Sequence, residues 1–298
     1  MDNFIKEICN FLCSRDLYIY KVGSGCGYES LSARFPSGKG ARPMLLLGAT
    51  ANTLEMAKTQ QEAAQAEISR IYSETGSYPL IITEDRWYSQ NEAMCQRILS
   101  HLEIFTQIYA RNCEIRRIDK ATAKAFLEAH HSYGDAACKY RYGLYLKRHT
   151  GHCHAERSEA SLSPGNLVAV ATFSNARKWV KGDKTIRSYE WTRYASLPGV
   201  RLSGGMGRLL KAFIKEVQPD DIMTYADLEW SEGKVYEQLG FTLEGTRPSV
   251  TFTIDTSEWS RTAMSSKATA GVDMPPPASK IFQNFGSNKY RLKLTDYQ

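Results

Sequence analysis

"SGGMGRLLKAF", residues 203–213, places two adjacent glycines, a third two residues later, an arginine and then Leu209, Leu210 and Phe213 at helical spacing. A flexible turn that feeds straight into a helix points several free backbone N–H groups, and the positive end of the helix dipole, at one spot. Such a spot suits a diphosphate, and glycine serves there because a side chain would hold phosphate oxygens away from the backbone. No Gly-Lys-Ser/Thr closes the turn as in a P-loop, and no acidic ribose partner of a dinucleotide fold follows it. A glycine turn is equally a tight connection, so its surroundings must decide.

Those surroundings are strand-rich. "TIRSYEWTRYAS" precedes the turn as a strand, and after the helix come strand "DIMTYADL", helix "EGKVYEQLG" and strands "FTLEGT" and "SVTFTID". Upstream, strand "CEIRRI", helix "KATAKAFLEAHH" and strands "YRYGLYLK" and "LVAVATFS" complete a mixed α/β (α+β) sheet expected to carry helices on both faces. Residues 1–105 read as a separate small α/β domain: a helix near 2–14, strands "LYIYKV" and "SLSARF", a buried strand "MLLLGA", the long amphipathic helix "TLEMAKTQQEAAQAEISRIYSE" and strand "YPLIITED". A buried strand on each side of a long helix suggests a parallel crossover. Residues 106–298 form the second domain, interrupted by an insert at 148–165 and an Ala/Ser/Pro-rich linker at 257–279 expected to be mobile. Order returns in "KIFQNFGSNKYRLKL", two short strands around a Gly-Ser-Asn turn.

The 298 residues are 42% hydrophobic and 23% charged, as in soluble globular proteins, and no window reaches the roughly 18 consecutive apolar residues of a membrane span. Seven cysteines without repeated spacing fit a reducing compartment, so a cytoplasmic location is expected. Charge is uneven: residues 1–110 hold 10 Lys and Arg against 12 Asp and Glu, and the remainder 28 against 20. The basic part could face nucleic acid, an anionic cofactor or only solvent.

The order strand, glycine turn, helix, strand and "VYEQLGF" resembles the GNAT acyl-CoA N-acyltransferases. Their loop reads Gln/Arg-x-x-Gly-x-Gly/Ala. Gly205 and Gly207 match its last two specified positions and Arg208 follows as commonly seen, whereas Leu202 stands at the first specified position with Arg201 one residue away. The resemblance implies acetyl-CoA or a related acyl-CoA as co-substrate, held by Arg201, Ser203, Gly204, Gly205, Met206, Gly207 and Arg208. "VYEQLGF" is similar to the family's Tyr-x-x-x-Gly-Phe element, which implies that Tyr236 protonates the departing thiolate, a task suited to an uncharged phenol donor. Glu190 and Asp227, on the two strands that splay apart in this family, are the candidates to deprotonate or orient the amine. Tyr225 and Glu229 lie nearby in sequence. Each of these groups has a plain structural alternative: a packed ring for Tyr236, an ion pair for a carboxylate.

A narrower resemblance runs through "EDRW", "YARNCEI", "YADLEWSEGKVYEQLGF" and the final "NFGSNKYRLKL", which look like the C-terminal part of phage homing-type endonuclease proteins and, more distantly, Mom-type DNA-modification proteins. It implies a nuclease-like scaffold for residues 1–105. The matching stretch "LSARFPSGKGARPMLLLGAT" has no carboxylate to hold a divalent metal, and Glu84 and Asp85 stand at a strand's end, so no metal is expected. It also implies an acceptor-side role for His131, whereas His130 and His131 are equally placed to favour a helix C-terminus. A non-catalytic nucleic-acid-binding protein derived from such an endonuclease is the alternative function. His149, His152, Cys153 and His154 crowd into one loop, too close for the usual structural zinc pattern. "SNARKWVKGDKTIRSYEW" could lay Trp179 and Lys178 against nucleotides, or form a solvated hairpin. The acceptor and the oligomeric state are not encoded in any motif.

Overall fold

The computed structural model describes residues 1–147, 163, 165–264 and 279–297; the histidine–cysteine loop, and most of the insert and linker, lie outside them. The chain divides into two compact units: Met1–Ile104 with Ala226–Gly233 and Thr246–Asn288, and Phe105–Tyr225 with Lys234–Gly245 and Lys289–Gln298. The architecture is mixed α/β, as the sequence leads one to expect. No described helix is long and apolar enough to cross a membrane.

In the first unit, α1 (Asp2–Cys13) precedes an antiparallel run of β1 (Ile19–Gly25), β2 (Tyr28–Arg34) and β3 (Ala41–Leu47). The long α2 (Leu54–Thr75) then returns the chain so that β4 (Leu80–Thr83) lies parallel to β3, the expected crossover. Thr53 caps α2 by accepting from the Met56 N–H at 3.2 Å, and Gly76 ends it at φ 66°. The strands β3 and β4 are buried on both faces. Phe4, Ile8 and Leu12 of α1 share one core with Met44, Leu46, Leu80 and Ile82, while Leu45, Leu47 and Ile81 face Ala64 and Ile68 of α2. "EDRW" opens a short helix, α3 (Glu84–Ser89), followed by α4 (Asn91–His101). A later, three-stranded antiparallel sheet of β14 (Thr251–Asp255), β15 (Ser260–Ala263) and β16 (Ser279–Gln283) belongs to the same unit. Strand β15 falls where the sequence suggests a mobile linker. Its backbone is satisfied by pairing with β14, which composition alone does not reveal.

The second unit is built on a sheet in the order β13-β17-β12-β10-β8-β7-β6. Its strands are β6 (Cys113–Arg117), β7 (Tyr140–Leu146), β8 (Leu167–Phe173), β10 (Lys184–Ser196), β12 (Asp221–Asp227), β13 (Thr242–Arg247) and β17 (Ser287–Lys293). The short β9 (Arg177–Lys181) pairs with β10. Helix α5 (Lys120–His130) packs Ala123, Phe126 and Leu127 on Val170 and Ala195. Helix α6 (Gly205–Val217) lies on the other face, its Phe213 stacked on Phe173 at 3.9 Å and edge-on to Tyr140, Tyr142 and Tyr189.

Two pairings depart from the linear reading. Val200–Ser203 (β11) forms a separate parallel pair with Thr106–Tyr109 (β5), so a second strand stands between β10 and the glycine turn. The strands flanking the Gly-Ser-Asn turn, β16 and β17, do not pair with each other but join different sheets. At Gly286 (φ 74°), a Cβ would lie 2.2 Å from the Arg247 carbonyl oxygen, so only glycine fits this corner.

Candidate functional site

Helix α6 begins on Gly204, held at φ 77° in the left-handed region. No side chain caps the helix, and the N–H groups of Gly205, Met206 and Gly207 have no partner among the described residues; the first bond of the turn is Arg208 N–H to the Gly204 carbonyl at 3.0 Å. Gly205, which has ordinary helical backbone, is favoured by packing, since a Cβ there would sit 2.7 Å from Leu202 Cδ2 and 3.1 Å from the Tyr194 hydroxyl. At Gly207 a Cβ would sit 3.3 Å from Leu239 Cδ2. These three amides point outward at the positive end of a thirteen-residue helix.

Three of the loop side chains have partners within the protein. Arg208 donates to the carbonyls of Ala110 and Cys113, tying the helix start to the chain before β6. Arg201 lies over the Phe105 ring, and Ser203 Oγ accepts from Gln107 at 2.9 Å. What the turn leaves open is therefore its backbone N–H groups rather than these side chains.

Strands β10 and β12 run parallel through only three matched pairs, Ser188–Asp221, Tyr189–Ile222 and Glu190–Met223. Past Glu190 the register of β10 against β8 shifts between Trp191 and Arg193, a bulge that bends β10 while the chain of β12 continues. The ladder ends there. The Trp191 carbonyl takes the Thr224 hydroxyl at 3.1 Å in place of a ladder bond.

Pairing fixes which side chains share a face. Tyr189 and Ile222 lie on the α6 side with Thr224, whereas Glu190, Met223 and Tyr225 lie on the α5 side. His131, just past the end of α5, accepts from the Tyr133 N–H through Nδ1 at 3.1 Å. The Glu190 carboxylate has no hydrogen bond or ion pair among the described residues; its main chain exchanges bonds with Ser174.

Tyr236, in α7 (Lys234–Gln238), packs among Trp191 at 6.0 Å, Phe241 at 5.7 Å and Tyr290 at 5.6 Å. Burial raises its hydroxyl above the ordinary phenol value, and a hydrogen bond with Thr224 opposes this in part. The phenol is thus protonated at neutral pH and able to donate. Thr224 links the parted strands to Tyr236. The alternation of β12 gave the only sequence signal for it, a hydroxyl between Ile222 and Ala226. Tyr194, whose hydroxyl borders Gly205 and is raised by burial, had no such signal.

Asp227 and Glu229 fall in the first unit. Asp227 Oδ1 accepts from the Glu229 N–H at 2.9 Å, and its other oxygen faces Arg86 at 3.7 Å. Glu229 and Asp85 are both held by Arg261, at 2.7 Å each, and Arg261 lies 4.5 Å over the Phe282 ring. Burial alone would raise the Asp85 carboxyl, but Arg261 holds it below the usual range. Glu84 accepts from the Ala49 N–H at 2.8 Å and meets the N-terminal amine at 3.0 Å. On the four-stranded sheet and its helix, Glu29 meets Lys21 at 2.9 Å and Glu67 meets Arg70 at 2.7 Å, so these acids too are paired with cations.

No family model matches the chain, and no curated protein matches it. Among solved structures it is similar in part to Eis1 from Mycobacterium abscessus, at 15% identity and a TM-score of 0.33, over 49% of this chain and 34% of that one. A chain of the KacTA–DNA complex is 19% identical with a TM-score of 0.28, over 45% and 86% of the two chains. A mutant AtaT toxin bound to the C-terminus of the antitoxin AtaR and acetyl-CoA is 11% identical with a TM-score of 0.28, over 58% and 93%. The present chain thus spans about a third of the length of the first of these.

Proposed function

We propose that the second unit is a GNAT-like N-acyltransferase that takes acetyl-CoA or a related acyl-CoA and passes the acyl group to an amine. The observation that carries this reading is the coincidence, within one unit, of a parallel pair that parts after Glu190 and Met223 with a helix start whose amides are open. The diphosphate of the thioester would rest on the Gly205, Met206 and Gly207 amides. Its pantetheine arm would enter where β10 and β12 part, and backbone donors of β10 beyond Glu190 would hold the thioester carbonyl as charge develops on it.

The amine must be neutral to attack. Glu190, without a side-chain partner among the described residues and on the α5 side, is suited to take the proton directly or through a water. As the C–N bond forms and the C–S bond breaks, the Tyr236 hydroxyl gives its proton to the departing sulfur and is later reprotonated from solvent. Asp227 is the weaker candidate for base, because the Glu229 N–H and Arg86 already engage its oxygens. His131 and Tyr225 would border the acceptor, for which the resemblance to phage endonuclease and Mom-type proteins suggests a nucleic-acid base among the amines to test.

Calorimetry with acetyl-CoA, followed by thiol release in the presence of an amine panel, tests the reading. Tyr236→Phe is expected to lower kcat by about 10²-fold or more while leaving acetyl-CoA affinity within a few fold. Absence of heat with several thioesters would remove the transferase reading and leave the architecture alone.

A further inference from the structure

The ribbon made by β9 and the start of β10, residues 177–187, holds Arg177, Lys178, Lys181, Lys184 and Arg187 against the single acid Asp183. All five residues of β9 are exposed, including Val180 at 72% and Trp179 at 36%. Register sets like charges directly opposite one another: Lys181 faces Lys184, and Lys178 faces Arg187. Opposed like charges in a ladder are unfavourable unless something neutralises them. Arg187 has Asp220 at 3.4 Å, and Lys184 donates to the Asp296 carbonyl at 3.1 Å. The side chains of Arg177, Lys178 and Lys181 have neither hydrogen bond nor ion pair among the described residues.

Lysine on an edge strand discourages the addition of a further strand. That purpose needs one or two lysines; it does not need them set opposite other cations, nor beside an exposed tryptophan and valine. The cations also occupy both faces of the ribbon, Lys178 and Arg187 on one, Arg177, Lys181 and Lys184 on the other. A flat anionic surface would be met by one charged face. A groove walled by phosphates on two sides is met by both.

We infer that this ribbon docks double-stranded DNA, entering the major groove, which admits a two-stranded β-ribbon whereas the deep, narrow major groove of an A-form RNA duplex does not. Its cations lie toward the phosphate walls and Val180 contributes apolar contact, while Trp179, edge-on to Tyr297 at 5.4 Å, backs the ribbon from within the protein. The inference rests on charge and register alone and holds whether or not the second unit transfers acyl groups.

The test is fluorescence anisotropy of a labelled DNA duplex with the full chain over a range of salt concentrations. Replacing Lys178 and Lys181 together by alanine is expected to weaken binding about tenfold or more at low salt and to flatten the log K against log salt slope by roughly 1.8, about 0.9 for each phosphate no longer neutralised. The control pair Lys6→Ala and Lys120→Ala removes the same net charge elsewhere and is expected to leave the slope unchanged. The thermal midpoint of the ribbon variant should not fall, since like-charge opposition is relieved. No binding of duplex DNA at low salt, an unchanged slope in the ribbon variant, an equal flattening in the control pair, or equal affinity for an RNA duplex of the same length would each overturn the proposal.

Discussion

Asp85, Arg261 and Glu229 in the first unit and Glu190, Thr224 and Tyr236 in the second are polar groups in densely packed surroundings, yet they are used in opposite ways. In the first unit Arg261 grips both carboxylates, and Arg86 adds a second cation at 3.3 Å from Glu229. Little hydrogen-bonding capacity of the two carboxylates remains for a visitor. In the second, the Glu190 side chain and three helix amides have no partner among the described residues, and a ladder stops where Thr224 takes over a carbonyl. The lesson is that carboxylates in a suggestive sequence context are informative about chemistry only once their partners are known.

The largest effect should come from breaking the saturated side. Arg261→Met leaves the Asp85 and Glu229 carboxylates, 3% and 1% exposed, without their main counter-charge. A loss of about 3–5 kcal/mol in chemical denaturation is expected, as for other buried pairs stripped of one partner. A loss below about 1 kcal/mol, the range of a surface pair, would erase the contrast between the units.

A smaller effect is expected on the open side. Gly205→Ala pushes a methyl against Leu202 and should cost about 1–3 kcal/mol of stability by overpacking. It should also weaken acetyl-CoA binding. Leu202→Ala in the same chain should restore most of the stability, a coupling that a double-mutant cycle measures. If affinity is unchanged in Gly205→Ala, the turn is a connection only.

The smallest effect is titratable. Burial, with Arg97 and Arg42 nearby, pushes the His101 imidazole down to about 3 from an ordinary 6.5. The unfolded chain therefore takes up a proton below pH 6.5 that the folded chain refuses. The stability contributed by the neutral ring is complete above 6.5 and falls as pH drops toward 3, by at most about 1.4 kcal/mol per pH unit. His101→Gln should reduce the acid loss between pH 6 and pH 5 by about 1 kcal/mol, read from urea midpoints at the two pH values.

Much of the local structure was legible. The apolar runs at 44–49 and 80–82, the long helix between them, and the glycine turn with its helix follow from period and turn chemistry, because these depend on neighbours close in the chain. The linker strand at 260–263 was not legible, since its ladder partner lies elsewhere in the chain and its composition is that of a loop. The protein partners of Arg208 and Arg201 were likewise hidden: a motif gives a side chain's place in the chain, while its rotamer and partners depend on what packs beside it.

The amino-acid order by itself determined the apolar strands at 44–47 and 80–83, the long helix between them and the glycine start of α6, because backbone sterics and side-chain periodicity are properties of a few consecutive residues. The folded arrangement alone decided that β10 bulges away from β12 after Glu190, that Thr224 reaches Tyr236, and that Asp227 is engaged by Arg86. Those facts arise from pairing register and side-chain packing between residues far apart in the chain, which no local pattern encodes.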